Sequence, residues 1–347
     1  MAGGKGQRFW PLSTADKPKQ FLDLERSGNT LIQTTVERVL PLVDSLEDVF
    51  IATAERYVDL VKMQLPDLPE DNLIIEPVGR DSAPAVALAS LSVHARHPDA
   101  VVGFFSSDHR IGEPEIFRKT VTEAVELAKT QNGLVTLGIH PTRPATGYGY
   151  IRAGEAVGPG FRVAEFVEKP NAVRAQLYLE EGGYSWNAGI FVWPAQTILD
   201  ELDTHAGELM TPLREAFTAG SVAEVFPTLK KISIDYAVME HTDKAFVVPG
   251  DFGWDDIGDW VALERLLKRD RRKHDQPDPN TVVGTHVGLE TQGNIIYTED
   301  SSDVVVTLGV ENLVIVKRGN AVLVIHKDRV QDIKELLGDE RLEQAVV

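Results

Sequence analysis

The chain of 347 residues contains no cysteine, and only 7% of its residues are aromatic. The lack of cysteine excludes disulfide bonds, thiolate nucleophiles and cysteine-bound zinc, so a metal ion would need oxygen or imidazole ligands. It also fits a reducing compartment, and we expect a cytoplasmic location. No apolar run reaches the roughly 18 residues of a membrane span, and the N-terminus has no signal-peptide pattern, so no membrane partner is expected.

Positive charge is also scarce, because 35 Lys and Arg residues stand against 53 Asp and Glu residues, a net charge of -18. Such an acidic chain repels phosphate backbones, and we expect no nucleic-acid partner. A small anionic substrate would need a local basic island in this chain. The hydrophobic fraction of 43% and the length predict a globular protein with a sizeable core.

Short apolar runs alternate with amphipathic stretches along most of the chain, which is typical of βαβ units. Thr30 and Gln33 predict a capping box at the first helix. Apolar strands predicted over 48–53, 72–76 and 100–105 are separated by helices. The pattern predicts an α/β, Rossmann-like fold with a mixed, mostly parallel sheet and helices on both faces.

Three segments are predicted from changes in composition along the chain. Residues 1–269 form the α/β domain, and the charged, proline-containing stretch 270–280 is a linker. Residues 281–347 contain β-rich runs about a dozen residues apart and a short terminal helix over 328–337, which predicts a small β-rich module.

A glycine-rich loop stands at the start of the chain. Ala2, Gly3, Gly4 and Gly6 would let backbone N–H groups approach phosphate oxygens, because larger side chains would block that approach. The loop lacks the Gly-Lys-Ser/Thr of a Walker A motif, and Phe9 replaces the third glycine of a dinucleotide fingerprint. It is therefore a candidate phosphate loop of another kind.

Cations surround this loop in an otherwise acidic chain. Lys5, Arg8, Lys17 and Lys19 are opposed only by Asp16 in the first nineteen residues. Lys and Arg beside a glycine loop can hold a triphosphate and stabilise charge on a transferred phosphoryl group. The alternative is a solvated basic turn, which the neighbouring glycines make less favourable.

A strand normally precedes such a loop in a nucleotide-binding sheet, whereas only Met1 precedes Ala2. Without such a strand, the neighbouring strands of the sheet would show unpaired backbone groups. Our hypothesis is that the natural chain begins upstream of Met1. The alternative is a start at Met1 with another segment in the gap.

These motifs resemble the sugar-1-phosphate nucleotidylyltransferases and, within them, the mannose-1-phosphate guanylyltransferases. Their GGxGxR loop and PK pair stand here as Gly3 to Arg8 and as Pro18-Lys19. The resemblance runs nearly end to end. It implies that Arg8 and Lys19 are catalytic residues that contact the phosphates and the pyrophosphate leaving group.

The segment EPVGRDSAPA resembles the guanine-reading segment of that family. It places Glu76, Arg80, Asp81 and Ser82 among the nucleotide-binding residues, together with Ala2, Gly3, Gly4 and Gly6. A carboxylate can accept hydrogen bonds from guanine N1 and N2, which adenine does not offer. The structural alternative is a helix cap formed by Asp81 or Ser82, and both interpretations can hold together.

Two acidic residues are candidate metal ligands. Asp108 follows an apolar strand, at the edge where α/β sheets place their ligands, although such a residue is as often a turn residue. The resemblance pairs it with Asp256 of GWDDIG, in preference to Asp255. Two carboxylates suit Mg²⁺, which completes its coordination with substrate phosphates and water.

Three segments, TGYGYI, FVEKP and WNAGIF, resemble the family's sugar-phosphate pocket. They imply that Gly147 and Gly149 approach the hexose, that Glu168 and Asn187 bind its hydroxyls, and that Lys169 holds the 1-phosphate. Without the resemblance, a strand bend and a strand exit would be the simpler interpretations.

Two further sets of polar residues rank below these segments. Asp235 of ISIDYAVME lies in a family-like segment that is a weaker candidate for the same pocket. The histidines show no metal spacing, and His94, His97 and His109 are interpreted as surface or loop residues.

The resemblance implies transfer of GMP from GTP to mannose 1-phosphate with Mg²⁺. It also implies that the C-terminal module is β-helix-like and helps to form a homodimer. Two alternatives remain: the same chemistry with another nucleoside triphosphate and hexose 1-phosphate, or a non-catalytic nucleotide-sugar sensor. Sensors typically lose loop cations or metal carboxylates, whereas this chain keeps both.

Overall fold

A computed structural model describes residues 1–4, 6–272, 279–339 and 342. Lys5 and most of the predicted linker, residues 273–278, lie outside the described residues. The chain divides into two compact units. The first unit comprises Met1–Gly3, Thr35–Ser107 and Ile111–Trp254, and the second comprises Gly4–Thr34, Asp108–Arg110 and Asp255–Val347. None of the helices described has the length and apolar character needed to cross a membrane.

Helices and strands alternate as the α/β prediction requires. The α-helices are α1 Leu31–Val39, α2 Val58–Gln64, α3 Ser82–Arg96, α4 Pro114–Gln131, α5 Ala172–Glu181, α6 Ala195–His205, α7 Gly207–Ala219, α8 Val222–Val225, α9 Trp260–Arg272 and α10 Ile333–Leu336. The strands are β1 Ile51–Ala54, β2 Leu73–Glu76, β3 Val101–Phe104, β4 Leu134–Ile139, β5 Tyr150–Val157, β6 Gly160–Val167, β7 Tyr184–Pro194, β8 Ala245–Pro249, β9 Thr281–Val283, β10 Thr285–Leu289, β11 Ile295–Thr298, β12 Val304–Leu308, β13 Leu313–Arg318 and β14 Ala321–His326. The α/β class is confirmed.

Local signals in the sequence mark several element ends. The Gln33 half of the capping box is found at α1, where the Thr30 N–H donates to Gln33 Oε1 at 2.9 Å. The strand predicted over 48–53 begins only at Ile51, because Leu46–Asp48 forms a 3₁₀ turn capped by Ser45. Val49 and Phe50 are apolar but lie between that turn and β1, so hydrophobicity alone placed the strand start too early.

The first unit contains a six-stranded sheet in the order β3-β7-β4-β8-β6-β5, and β1 and β2 form a separate parallel pair. Strands β3, β4, β5 and β8 run in one direction, and β6 and β7 run in the other. Most neighbouring pairs are antiparallel because β7 pairs with β3, β4 and β5 and so separates strands of like direction. The sheet is mixed, as predicted, but of its described strand pairs only β4 with β8 is parallel, so the mostly parallel pairing expected from the sequence is not found in it.

Helices cover both faces of this sheet. Along β8, Val247 belongs to the core cluster that contains α3, α6 and α7, whereas Phe246 and Val248 belong to the cluster that contains α4. This alternation follows from the period of two in a strand. A strand buried on both faces is apolar throughout, which is why the sequence shows continuous apolar runs.

The first two residues take part in backbone hydrogen bonding. The Met1 ammonium donates to Phe105 O at 2.7 Å, and the Ser107 N–H donates to Met1 O at 3.0 Å. The Ala2 N–H donates to Ala52 O of β1 at 2.7 Å. The hypothesis that the natural chain begins upstream of Met1 stays a prediction.

The second unit joins the N-terminal loop residues to the C-terminal β-rich module. Strands β14-β13-β11-β9 form one sheet, and β10 and β12 form a parallel pair. The Trp260 ring lies 5.1 Å from the Phe9 ring and 5.5 Å from the Tyr297 ring, so loop and module share one core. The domain boundaries predicted from composition stay predictions.

Candidate active site

The second unit contains a cavity of about 300 Å³, which we call the glycine-loop cavity. Five separate parts of the sequence line it. The lining residues are Gly6, Gln7, Arg8, Phe9, Lys19, Asp108, His109, Asp256, Gly258 and Lys334. The cavity therefore brings together Arg8 and Lys19, two of the predicted loop cations, and both predicted metal ligands.

Glycine at position 6 lets the loop lie directly against Lys19. Gly6 has φ of 51°, and a Cβ there would lie 2.5 Å from Lys19 Cβ and 2.7 Å from Lys19 N. The carbonyl of Gly6 accepts a hydrogen bond of 2.6 Å from Ser13 Oγ. A 3₁₀ turn, Gln7–Phe9, follows and carries Arg8. Of the predicted loop residues, Gly4 and Gly6 belong to the second unit, and Ala2 and Gly3 belong to the first.

Lys19 links three distant segments at the cavity. Its side chain is 5% exposed, and Nζ donates to Asp108 Oδ2 at 3.1 Å and to the Asp256 carbonyl at 2.5 Å. A buried ammonium requires such oxygen partners, because burial without them costs several kcal/mol. The predicted catalytic lysine thus stands beside both predicted metal ligands.

Asp108 is held in its ionised form. Burial acts to raise its pKa, but the Lys19 ammonium and His109 outweigh burial and lower the pKa below its ordinary value. His109 Nε2 lies 3.9 Å from Asp108 Oδ1. An ionised carboxylate is the form that binds a divalent cation.

The two acids of GWDDIG differ in their contacts. Asp255 accepts hydrogen bonds from the Ile257 N–H at 2.9 Å and from Arg265 Nη2 at 3.0 Å. Asp256 instead lines the cavity, and a Cβ at Gly258 would lie only 3.1 Å from Asp256 Oδ2. This arrangement favours Asp256 over Asp255 as a ligand, and the ligand role itself stays a prediction.

The donor set at the cavity fits a magnesium ion. Among the described residues, no group of three or more His, Asp and Glu side chains is arranged to hold a metal. Asp108 and Asp256, which both carry carboxylates, nevertheless line one cavity. Mg²⁺ usually takes one or two carboxylates and fills its other positions with substrate phosphates and water.

Arg8 is a half-buried cation at the same cavity. Its Nη1 donates to Gly258 O at 3.5 Å, which is a long hydrogen bond. Its Nε is buried and has no hydrogen-bond partner within the described ranges. Buried donors without a partner are uncommon, so this guanidinium is suited to an anionic ligand.

In the first unit, Glu76 lies at the end of β2 with only 6% of its surface exposed. Burial raises its pKa to about 7, although the N-terminal ammonium opposes the shift. A Cβ at Gly3 would lie 3.9 Å from Glu76 Oε1, so the loop glycine and this carboxylate are near each other. A buried acceptor of this kind can read the hydrogen-bond donors of a base.

The remaining residues of the predicted guanine segment are partly used by the fold. Asp81 has φ of 71° and caps α3 by accepting from the Ser82 N–H at 2.9 Å. Ser82 Oγ accepts from the Ile234 N–H at 2.8 Å. Arg80 Nε is buried, with no hydrogen-bond partner in the part of the chain that is described. The helix-cap interpretation is confirmed for Asp81, and the base contacts stay predictions.

The predicted sugar residues come together in the first unit. A Cβ at Gly149 would lie 2.6 Å from Glu168 Oε2, so glycine allows this close approach. Lys169 Nζ pairs with Glu168 Oε1 at 2.7 Å. The Asn187 N–H donates to Gly149 O at 2.8 Å, and its Nδ2 donates to Asp235 Oδ1 at 2.9 Å. These groups form a small network of polar side chains and main chain that could hydrogen-bond to sugar hydroxyls.

Asp235 belongs to this network more fully than its sequence pattern suggested. Burial, followed by the nearby Glu168 carboxylate, raises its pKa to about 7, although Lys169 and Asn187 act in the opposite direction. It begins the π-helix Asp235–Met239. Single π-helical turns often occur at functional sites, but no sequence periodicity predicts them.

Two titratable residues of the cavity, His109 and Lys334, were not predicted as site residues from the sequence. His109 lies in a loop, as interpreted, but that loop is at the glycine-loop cavity. Lys334 lies on α10, within the predicted terminal helix, and lines the same cavity. Nothing in a lone lysine of a short helix indicates such a location.

Comparison with known proteins places this geometry in a family. The nucleotidyl transferase family model matches residues 1–273, and the MannoseP isomerase/GMP-like beta-helix domain matches residues 284–339. The second match confirms a β-helix-like C-terminal module. The mannose-1-phosphate guanylyltransferase of Salmonella muenchen is 39% identical over 350 residues, covering 97% of this chain and 72% of that protein.

Two further proteins show a similar degree of likeness to this chain. The mannose-1-phosphate guanylyltransferase of Escherichia coli (strain K12) is 38% identical over 355 residues, covering 97% of this chain and 72% of that protein. A crystal structure described as mannose-1-phosphate geranyltransferase from Thermus thermophilus superposes with a TM-score of 0.86 at 38% identity, covering 99% of this chain and 98% of that chain. This chain belongs to the nucleotidyl transferase family and is an enzyme of the nucleotidyltransferase class.

Proposed function

We propose that this enzyme transfers GMP from GTP to mannose 1-phosphate, giving GDP-mannose and pyrophosphate. The observation that carries the proposal is the glycine-loop cavity, where Lys19 Nζ lies 3.1 Å from Asp108 and 2.5 Å from the Asp256 carbonyl, with Arg8 in the same lining. The similarity to the guanylyltransferases of Salmonella and Escherichia supports this choice of nucleotide and sugar.

The transfer is an in-line displacement at phosphorus. A phosphate oxygen of the sugar phosphate forms a bond to the α-phosphorus, and the bond from the α-phosphorus to the bridging oxygen breaks. Pyrophosphate leaves with that electron pair. The attacking phosphate is already anionic near neutral pH, so the reaction needs no general base. Arg8 and Lys19 instead align the phosphates and neutralise their charge.

Nucleotidyltransferases generally use a divalent metal ion. Mg²⁺ is the proposed ion, and Asp108 and Asp256 are the residues that would hold it. When bound, such an ion polarises phosphoryl oxygens and neutralises charge that develops on them. Lys19 keeps the segments of the two acids together through its own hydrogen bonds.

The first unit supplies the proposed base and sugar contacts. Glu76 accepts hydrogen bonds from guanine N1 and N2 in this proposal. The main chain at Gly149 and the side chains of Glu168 and Asn187 bind the hexose, and Lys169 holds its 1-phosphate. Burial lowers the pKa of Lys169, but the Glu168 carboxylate outweighs burial and raises it, so the lysine remains a cation.

Pyrophosphate release with Mg²⁺ tests the proposal across GTP, ATP, UTP and dTTP against mannose and glucose 1-phosphates. A dominant rate with GTP and mannose 1-phosphate supports it. A dominant rate with another pair would keep the transfer chemistry and overturn the proposed specificity. No release with any pair would contradict the proposed function.

Guanine recognition by Glu76 predicts a pH-dependent affinity for GTP. Because the pKa of Glu76 is about 7, the carboxylate is ionised above that pH and protonated below it, where it loses an acceptor. The advantage of wild type over Glu76→Gln in GTP affinity should therefore shrink as pH falls below about 7, by up to about tenfold per pH unit. Calorimetric Kd values between pH 6 and 8, about one unit either side of that pKa, measure this advantage.

The comparison with Glu76→Gln separates this effect from titration of the nucleotide, since the phosphates of GTP titrate identically with both proteins. Glu55→Gln, at an exposed position of the same unit, is the matched control and should follow wild type. An advantage that stays constant across the pH range would contradict the role of Glu76.

The C-terminal module supports a proposed homodimer. Its paired strands β10 and β12 expose a ladder of aliphatic side chains, with Val287 opposite Val306 and Leu289 opposite Leu308. All four are more than half exposed. Contiguous apolar patches on soluble proteins commonly mark interfaces, and we propose a second copy of this chain as the occupant. The cytoplasmic location expected from the sequence stays a prediction.

Placing a charge in this ladder should separate the subunits. Wild type should have about twice the chain mass of 38.2 kDa by light scattering, whereas Val306→Asp should have the single mass, because an unpaired buried carboxylate is costly. Val173→Asp, at an equally exposed valine on α5, should remain dimeric. A monomeric wild type, or a dimeric Val306→Asp, would contradict the proposed interface.

A further inference from the structure

Lys334 brings the C-terminal module into the glycine-loop cavity. Its side chain lines that cavity together with Arg8 and Gly258. The preceding residue, Ile333, is fully buried in the core of the second unit, whereas Lys334 is exposed. The short helix α10 is therefore anchored by its apolar side and presents a cation at the cavity.

The segment that carries Lys334 is tied to the segment that carries Asp256. Lys327 Nζ lies 2.7 Å from both carboxylate oxygens of Glu264 on α9, and Glu264 is buried. Gln331 Nε2 donates to Asp259 Oδ2 at 2.6 Å, immediately before α9 begins. Two separate side-chain contacts thus hold the segment that carries Lys334 against the segment that carries Asp256.

Arg8 and Lys334 form a pair of like charges. The Arg8 guanidinium, and to a lesser extent burial, lowers the pKa of Lys334. Neither cation is paired with a carboxylate within the described residues, whereas Lys19 is paired with Asp108. Two cations at one cavity repel each other, and an anion bound between them removes that repulsion.

We propose that Lys334 is a further phosphate-binding residue, which acts with Arg8 on the terminal phosphates of the nucleotide and on the pyrophosphate product. The identity of this ligand rests on the proposed function. The pyrophosphate part carries most of the negative charge of a nucleoside triphosphate, and lysine binds phosphate oxygens as a point charge. The C-terminal module then contributes directly to substrate binding.

Binding of inorganic pyrophosphate to the full chain tests Lys334 without requiring turnover. Calorimetry at a fixed MgCl₂ concentration should show that Lys334→Ala and Lys334→Gln weaken the Kd by about tenfold to a hundredfold, the usual loss for one hydrogen bond to a charged group. Lys334→Arg keeps the charge and should restore the Kd to within about threefold of wild type. Glu335→Ala, at the next exposed position of α10, is the matched control and should leave the Kd unchanged.

The reverse reaction adds a readout that a purely structural role would not reproduce. In pyrophosphorolysis of GDP-mannose, Lys334→Ala should raise the KM for pyrophosphate by the same factor as the Kd. The KM for GDP-mannose should stay within about threefold of wild type, because the lost interaction concerns only the other substrate.

Each contrary result has a distinct meaning. An unchanged pyrophosphate Kd in both Lys334→Ala and Lys334→Gln would overturn the role of Lys334 while the proposed transfer could still stand. An equal loss in Glu335→Ala, or no recovery in Lys334→Arg, would overturn it in favour of a structural role. A wild type without any transfer activity, but with the expected Kd changes, would overturn the proposed function and support the phosphate site.

Discussion

Replacing Asp256 by alanine is expected to lower turnover by about a thousandfold or more, because a metal ion at transferring phosphates contributes several kcal/mol to catalysis. The fold should be retained, since Lys19 bonds to the backbone carbonyl of residue 256, which the substitution leaves in place. Turnover measured as pyrophosphate release over a range of Mg²⁺ concentrations tests this, with thermal unfolding as the check on folding.

Asp16→Ala is the matched control for Asp256→Ala. Asp16 is exposed and belongs to the same unit, and it does not line the glycine-loop cavity. This variant should keep wild-type turnover and metal dependence. Near-native turnover of Asp256→Ala at every Mg²⁺ concentration would contradict the assignment of Asp256 as a metal ligand.

Arg8→Ala is expected to lower turnover by about a hundredfold to a thousandfold, the usual loss when a positioned donor to a reacting group is removed. The buried Arg8 Nε has no hydrogen-bond partner in the described ranges of the chain, so this donor is not already used by the protein. Arg8→Lys keeps the charge but loses the planar fork of the guanidinium, and it should recover only part of the rate.

Arg269→Ala, at an exposed position of α9 in the same unit, is the control for Arg8 and should leave the rate unchanged. Steady-state kcat and KM for both substrates give the measurement. If Arg8→Ala and Asp256→Ala both retain near-native turnover, the proposed catalytic role of the glycine-loop cavity is wrong.

Elements governed by local rules were predictable from the sequence. The capping box at Thr30 and Gln33 marks the start of α1 because both partners lie within one helical turn. The helix predicted between the strands over 72–76 and 100–105 is found as α3, Ser82–Arg96. The antiparallel insertion of β7 was not predictable, because strand order depends on contacts between distant segments that hydrophobic periodicity does not report.

In the candidate site, too, some features could be predicted from the local sequence and others only from the tertiary structure. A glycine-rich loop with neighbouring cations is visible in one short segment, and the structure adds that Gly6 is needed for contact with Lys19. The choice between Asp255 and Asp256 rested on resemblance alone, because adjacent identical residues look alike in sequence. The side-chain contacts of Arg265 with Asp255 distinguish them physically.

The sequence by itself determined the α/β class, the glycine loop and its cations, since these are properties of residue type and short spacing. Tertiary structure alone decided that Lys19 meets Asp108 and Asp256 across sequence separations of 89 and 237 residues. It alone also placed His109 and Lys334 at the same cavity. The physical reason is that such contacts are set by how helices and strands pack, and packing depends on the whole chain at once.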